Sequence, residues 1–389
     1  MTIIVHRGTH QIGGCATEIK TNTTRVFIDF GAELDANNAK QLDISGVTNG
    51  TSTCNAVLFS HYHGDHIGLM DTILPSIPLY MGEDAKQILT ILNSKTKTFN
   101  DDFLGTILTF SGGNTFQIGD IMITPFSVDH SAYDAYMFLI EADGKRVLHT
   151  GDFRTHGFRG KGVKKVLEKL VKHVDVVICE GTMLNRTATQ PITENDIKIE
   201  LNKLITENKY SFLICSSTNI DRIAALCAAR PRGRYLLCDD YQKSVVDYIS
   251  STAGLKSDLY KCEGLCTYGA NLDERLRKQG FCMLVRAGNP THKRIIDKFK
   301  DYDPLIIYSM WKGYLEEERV KAFIEGYRKV DVHTSGHADL GAIKMLMEMT
   351  TPDIIIPIHT DVPTAFDGIY NKAKLVLLQD GEEFVMRGV

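Results

Sequence analysis

Residues 61–66 read His-Tyr-His-Gly-Asp-His and follow directly on the apolar run Ala56-Val57-Leu58-Phe59. Neither core packing nor helix amphipathicity selects four ligand-type side chains within six residues, so the stretch demands a strand that ends in a metal-binding turn before a helix. Side chains alternate in an extended segment. His61 and His63 therefore leave the strand end on the same side and can share one ion, while Asp65 and His66, just past the turn, would face a second position. Imidazole and carboxylate donors without a thiolate suit zinc, or manganese where carboxylates dominate.

Further ligand-type residues close apolar runs downstream. His130 follows Ile121-Met122-Ile123-Thr124-Pro125-Phe126-Ser127-Val128-Asp129, and Asp152 follows Lys145-Arg146-Val147-Leu148-His149-Thr150-Gly151; both runs carry a strand pattern. The order His-x-His-x-Asp-His, then a His, then a Gly-Asp, each closing a strand, resembles the metallo-β-lactamase family of binuclear hydrolases. The resemblance implies that His61, His63 and His130 hold one divalent ion, that Asp65 and His66 hold the other, and that Asp152 bridges them. Asp29, in Val26-Phe27-Ile28-Asp29-Phe30-Gly31, matches the family's early aspartate, which supports the histidine loop. Members of the family hydrolyse many substrates, and the fold alone does not choose among them.

The second half of the chain narrows the choice. Glu180 ends Val174-Asp175-Val176-Val177-Ile178-Cys179, His337 sits in Thr334-Ser335-Gly336-His337-Ala338, and His359 closes Ile354-Ile355-Ile356-Pro357-Ile358. An acid, a Ser-Gly-His-Ala and a strand-ending His in this order resemble motifs A, B and C of the β-CASP nucleases, above all the ribonuclease J-like branch. The opening Gly8-Thr9-His10-Gln11-Ile12-Gly13-Gly14-Cys15 and the segment Ser216–Arg222 are similar to that branch as well. The likeness implies a metallo-β-lactamase αββα sandwich over 1–182 and 331–389, with a β-CASP α/β domain built on a parallel sheet inserted at 183–330. It further implies hydrolysis of single-stranded RNA assisted by two divalent ions, zinc first and manganese as the alternative. His337 would be the proton donor, Glu180 its orienter and His359 a ligand of the second ion. Asp65 would serve catalysis as well as binding, and Ser335, Gly336 and Arg154 would meet the substrate. The pattern departs at Thr360-Asp361 and at Arg286–Pro290, where a phosphate-binding loop is expected. Exonuclease or endonuclease mode, a DNA-processing role, and a small-molecule ester or thioester hydrolase on the same scaffold stay open on these grounds.

Periodicity organises the rest. Helical patterns at about 65–73 and 83–97 interrupt short strands up to residue 150. From Ser211 onward, strand-like 212–215, 235–238, 282–286 and 304–309 alternate with helices near 219–230 and 240–251 in βαβ order. Because the last motifs follow this block, it is expected to lie over the metals as a lid. After Asp152 come Arg154, His156, Arg159, Lys161, Lys164, Lys165 and Lys169, and helical spacing turns Val163, Val166, Leu167, Leu170 and Val171 to the core with the lysines in solvent.

A chain of 389 residues, 43% hydrophobic and 24% charged, is long enough for two domains. A net charge of -4 is not that of a protein that coats nucleic acid, but the count omits bound cations. Nine cysteines without a Cys-x-x-Cys pair read as reduced, mostly buried thiols. No transmembrane-length apolar stretch and no export signal is visible, which points to the cytoplasm, away from membranes, and leaves a homo-oligomer open.

Overall fold

The computed structural model describes residues 1–34, 41–186 and 191–386. The chain divides into two compact units: Met1–Thr155 with Arg159–Thr189 and Gly336–Val389, and His156–Phe158 with Gln190–Ser335.

Two seven-stranded sheets build the first unit. In the first sheet the order is Glu383–Val385, Thr2–Arg7, Ala16–Lys20, Arg25–Ile28, Ala56–Leu58, Leu79–Gly82 and Leu108–Phe110. Its first four strands pair antiparallel and the rest parallel. The second sheet runs Lys374–Leu375, Ile354–Ile358, Val176–Glu180, Lys145–His149, Tyr136–Ala142, Ile121–Ser127 and Phe116–Ile118, parallel over the first four strands and antiparallel beyond. Alternate residues explain why the sheets stack. Ile3, Val5, Ile19, Val26, Ile28 and Leu58 from one sheet meet Ile121, Ile123, Phe138, Ile140, Val147, Ile178 and Ile356 from the other in one buried cluster. The intervening residues Leu139, Leu148, Val177 and Ile355 face the opposite way, onto Val163, Leu167 and Val171 and onto Ile343, Leu346 and Met347 of the helix Leu340–Thr350. Each such side chain taken out of water contributes about 1.5–3 kcal/mol, and the sandwich is fixed by their sum.

Strand direction decides where the polar residues go. The parallel strands Arg25–Ile28 and Ala56–Leu58 end at Asp29 and just before His61; Lys145–His149 leads to Asp152, Val176–Glu180 ends on Glu180, and Ile354–Ile358 is followed by His359. Ile121–Ser127 runs parallel in sense to Lys145–His149, one strand away, so His130 emerges at the same edge. All the candidate ligands thus leave their sheets at one end.

Two local expectations are corrected here. The helix expected at 65–73 is a single turn, Gly64–Ile67, followed by a 3₁₀ turn, Met70–Thr72. Gly68 caps the first turn on Gly64 O, and the next amide, Leu69 N, donates instead to Phe30 O, so tertiary pairing breaks the helix. Leu170, expected in the core, is 55% exposed. The α-helix Gly160–Val166 continues as a π-helix over Leu167–Val171, with Lys172 N bonded to Leu167 O five residues back, and the wider turn carries Val171 inward in place of Leu170.

The second unit holds a six-stranded, wholly parallel sheet in the order Leu265–Thr267, Tyr235–Cys238, Phe281–Val285, Tyr210–Ile214, Leu305–Tyr308 and Arg328–Asp331. Helices Ile220–Ala228, Asp240–Thr252 and Pro290–Asp297 make the crossovers a parallel sheet requires. Phe212, Ile214, Phe281, Met283, Phe299, Ile306 and Tyr308 fill its core. Arg222, on the first of these helices, is fully buried and grips Glu194 through two hydrogen bonds, Nε to Oε2 at 3.0 Å and Nη2 to Oε1 at 2.9 Å. No helix among the described residues is long and apolar enough to cross a membrane.

Candidate metal centre

The ligand-type residues converge in two overlapping groups within the first unit. His61, His63 and His130 each offer a donor atom within 4.8 Å of the others, and so do His61, His66 and Asp152. Around the second position, Asp65 Oδ2 lies 3.2 Å from His359 Nε2 and 3.8 Å from His66 Nε2. Asp152 Oδ2 sits between the groups, 3.2 Å from His66 Nε2, 3.9 Å from His61 Nε2 and 3.9 Å from His359 Nε2.

The opposite nitrogen of each ring is held by the protein, which aims the first inward. Nδ1 of His66 meets Asp29 Oδ2 at 2.8 Å, and Nδ1 of His61 meets Ser60 Oγ at 3.0 Å. Nδ1 of His130 donates to Gly336 O at 2.7 Å, and Nδ1 of His359 meets Thr182 Oγ1 at 2.6 Å. These four rings therefore present Nε2. His63 differs, with its Nδ1 3.3 Å from His130 Nε2 and so on the shared side. Such outer partners set tautomer and ring orientation in metal sites. Asp29 also accepts from Ser60 N at 2.7 Å and Ser60 Oγ at 2.8 Å, and these bonds hold it at φ +63°; His359 is likewise left-handed, at φ +51°. Non-glycine residues take that conformation at a cost that the surrounding contacts must offset.

Electrostatics fits a cation. Burial and the neighbouring His66, His130 and His63 keep His61 well below the usual histidine range, and burial lowers His130 strongly and His63 to about 4. These rings are neutral, the form that binds metal. Around the second position the carboxylates prevail. For His66, burial favours the neutral ring but is outweighed by Asp152, Asp29 and Asp65, which raise it well above the ordinary value. Burial opposes ionisation of Asp65 and Asp152 too, yet the facing imidazoles hold both carboxyls low. His61 Nε2 and Asp152 Oδ1 are buried and make no hydrogen bond, as expected of atoms that await a metal. The residues present fit divalent cations.

His337 stands at the rim, 22% exposed. Its Nδ1 lies 3.3 Å from Glu180 Oε2 and 3.5 Å from Asp152 Oδ2. Burial favours the neutral ring, but Glu180 and Asp152 outweigh it and raise His337 to about 9. Glu180 is fully buried and fixed by Phe153 N, Thr182 N and Ala338 N.

Three residues expected to meet the substrate make structural bonds. Arg154 is fully buried, with Nε on Asp129 Oδ1 at 3.1 Å and its own N–H on Asp129 O at 2.7 Å. An ion pair sealed from water cannot grip a phosphate, and this arginine instead ties the loop of His130 to that of Asp152. Gly336 offers its carbonyl to His130, and a Cβ there would come within 2.6 Å of Ser131 Oγ. Ser335, half-buried in the second unit, accepts from His156 Nε2 at 2.8 Å. Ser60 and Thr182 escaped the sequence reading. Their only signal is adjacency, Ser60 before the first ligand and Thr182 two residues after Glu180.

A family model described as a β-lactamase superfamily domain matches residues 24–204. Among curated proteins, ribonuclease J of Mycoplasma genitalium is 20% identical over 382 residues, covering 90% of this chain and 66% of that protein. Ribonuclease J of Corynebacterium glutamicum is 21% identical over 415 residues, covering 96% and 56%. The chain thus spans about two thirds or less of the length of these relatives. A crystal structure of a protein of unknown function from Enterococcus faecalis V583 superposes with a TM-score of 0.81 at 21% identity over 99% of each chain, a likeness of fold. The stacked seven-stranded sheets and the separate parallel-sheet unit have the fold of a metallo-β-lactamase sandwich with a β-CASP insertion, and residues 24–204 are similar to a β-lactamase superfamily domain. Over 85–96% of its length the chain is similar to curated ribonuclease J proteins at 20–22% identity.

Proposed function

We propose that this chain is a metal-dependent hydrolase of phosphodiester bonds in single-stranded RNA, a ribonuclease of the cytoplasm with two divalent ions per chain. The observation that carries the reading is His337, its Nδ1 facing Glu180 and the shared Asp152 at the rim of a buried ligand set, in a chain similar to ribonuclease J. His61, His63 and His130 would hold one ion, Asp65, His66 and His359 the other, and Asp152 both. Zinc is the preferred metal and manganese the alternative. Bound there, the ions supply charge for the phosphoryl oxygens and lower the pKa of water to near neutrality.

The chain's own residues do the remainder. Glu180 and Asp152 hold the imidazolium through Nδ1, which leaves the proton at Nε2 for the departing oxygen. Thr182, Ser60, Asp29 and Gly336 hold the ligand rings in orientation through their second nitrogens. The relatives are named as ribonucleases, and that name together with the ligand-type residues present here supports RNA as the substrate class.

The test is purified protein loaded with zinc or manganese and offered 5′-monophosphorylated, 5′-triphosphorylated and circular RNAs on a denaturing gel, with chelator controls. Metal-dependent cleavage of RNA is expected, and cleavage of the circle would mark an endonuclease. Turnover of DNA alone, or of a simple ester or thioester with no RNA cleaved, would replace the reading.

A further inference from the structure

The glycine-rich opening of the chain has no part in the chemistry above, yet it ends inside the metal centre. Cys15 precedes the strand Ala16–Lys20, which runs antiparallel to both neighbours, so its N-terminal end lies at the ligand-bearing edge. Gly13 and Gly14 take φ of +80° and +69°, a left-handed turn that glycine alone adopts without steric cost. The turn brings Cys15 N to Asp65 O at 3.0 Å, while Gly31 N donates to Cys15 O at 2.9 Å. A Cβ on Gly31 would lie 1.7 Å from Asp65 O, so the approach of these backbones depends on glycine. Cys15 is thereby clamped to the backbone of a candidate metal ligand.

Its side chain is buried, and Sγ, a ring nitrogen of His66 and a ring nitrogen of His359 all lie within 4.8 Å of one another. A second observation points the same way. His66 Nε2 is buried and finds no hydrogen bond of acceptable geometry, although Asp152 Oδ2 is 3.2 Å away, and its Nδ1 is occupied by Asp29. Two imidazole nitrogens and a sulfur facing one another form a donor set, whereas a cysteine that only packs needs no such company.

We propose that Cys15 is a thiolate ligand of the second metal position, alongside His66, His359 and the carboxylates of Asp65 and Asp152. The proposal rests on the binuclear-metal reading above. A coordinated thiol loses its proton, which passes to solvent as the ion binds. Thiolate is a soft donor, so the second position becomes selective for zinc over manganese or magnesium, a preference that a purely imidazole and carboxylate set leaves open.

Cobalt(II) reports the bond directly. The protein is loaded with two equivalents of cobalt, in a Cys266→Ser background that removes the one exposed cysteine. A near-ultraviolet thiolate-to-cobalt charge-transfer band is expected, and Cys15→Ser should abolish it while the visible ligand-field bands remain. In chelator competition, Cys15→Ser should release one of two zinc ions at least about tenfold more readily and keep the other, in line with the usual 10–100-fold cost of disturbing a metal site. Ligand-field bands without the charge-transfer band in the parent protein, or a band that survives in Cys15→Ser, would overturn the thiolate assignment and leave the metal centre standing. Failure to bind cobalt at all would overturn the metal reading and the proposal with it.

Discussion

One nitrogen of nearly every imidazole in the centre is bound to the protein, so the residue scale separates ligands from the proton donor. His337→Ala should keep both metals by elemental analysis and lose RNA turnover by roughly 10²- to 10⁴-fold, the range for removing a general acid. His359→Ala should instead lose the second metal, because Thr182 aims its Nε2 at Asp65. Metal loss in the first variant and retention in the second would exchange the two roles. Arg154 makes a different prediction. Removing it strands the buried Asp129 carboxylate, so Arg154→Ala should destabilise the fold by about 3–5 kcal/mol in denaturant titration. A raised KM for RNA at unchanged stability would restore Arg154 to the substrate.

At the scale of elements, the helix after the Asp152 loop tests how far spacing can be trusted. Regular helical spacing buries Leu167 and Leu170 alike, but the π-helical turn buries only Leu167. Leu167→Ala should cost about 2–5 kcal/mol, the range for a large core residue, and Leu170→Lys should stay within about 0.5 kcal/mol of the parent. Equal losses would mean that the helix stays α-helical in solution. The strands behave more simply. Short continuous apolar runs put the expected strands near 212–215, 235–238, 282–286 and 304–309 within a residue or two of the observed Tyr210–Ile214, Tyr235–Cys238, Phe281–Val285 and Leu305–Tyr308. Short apolar runs with flanking turns leave few alternatives for a sheet, whereas a helix can change its winding without changing its sequence.

For the whole molecule, stability is tied to pH and to metal. Glu18, buried in the first sheet, takes Arg25 Nε and Nη2 at 2.8 and 2.9 Å and His6 Nε2 at 2.7 Å. Burial alone would raise its pKa, but the bonds from His6 and Arg25 bring it from 4.5 down to about 2. A carboxyl lower in the folded than in the unfolded chain contributes stability above pH 4.5, and that contribution is lost as pH falls toward 2. Glu18→Gln should therefore be less stable than the parent by about 2–3 kcal/mol at pH 7, with the gap closing as both approach pH 2, as read from denaturation midpoints. Chelation should lower the Tm of the parent, because a cation that binds only the folded chain adds about 2.7 kcal/mol at a hundredfold excess over Kd. An unchanged Tm on chelation, with metal shown to leave, would mean that the ligand set is held open without cations.

Much of the centre was legible in the chain itself. His61, His63, Asp65 and His66 are neighbours in sequence, and His130, Asp152, Glu180 and His359 each close an apolar run, so strand periodicity alone brings them to sheet ends. That these ends lie at one edge depends on strand order and direction, which the chain does not display locally. Only the tertiary structure decided the fate of Arg154, whose charge is cancelled by Asp129 across 25 residues, and the orientation of His359 by Thr182, 177 residues away. It alone brought Cys15 to His66 and His359. Local pattern is set by which face of a strand meets the core; a polar side chain's partner is set by which distant segments pack beside it.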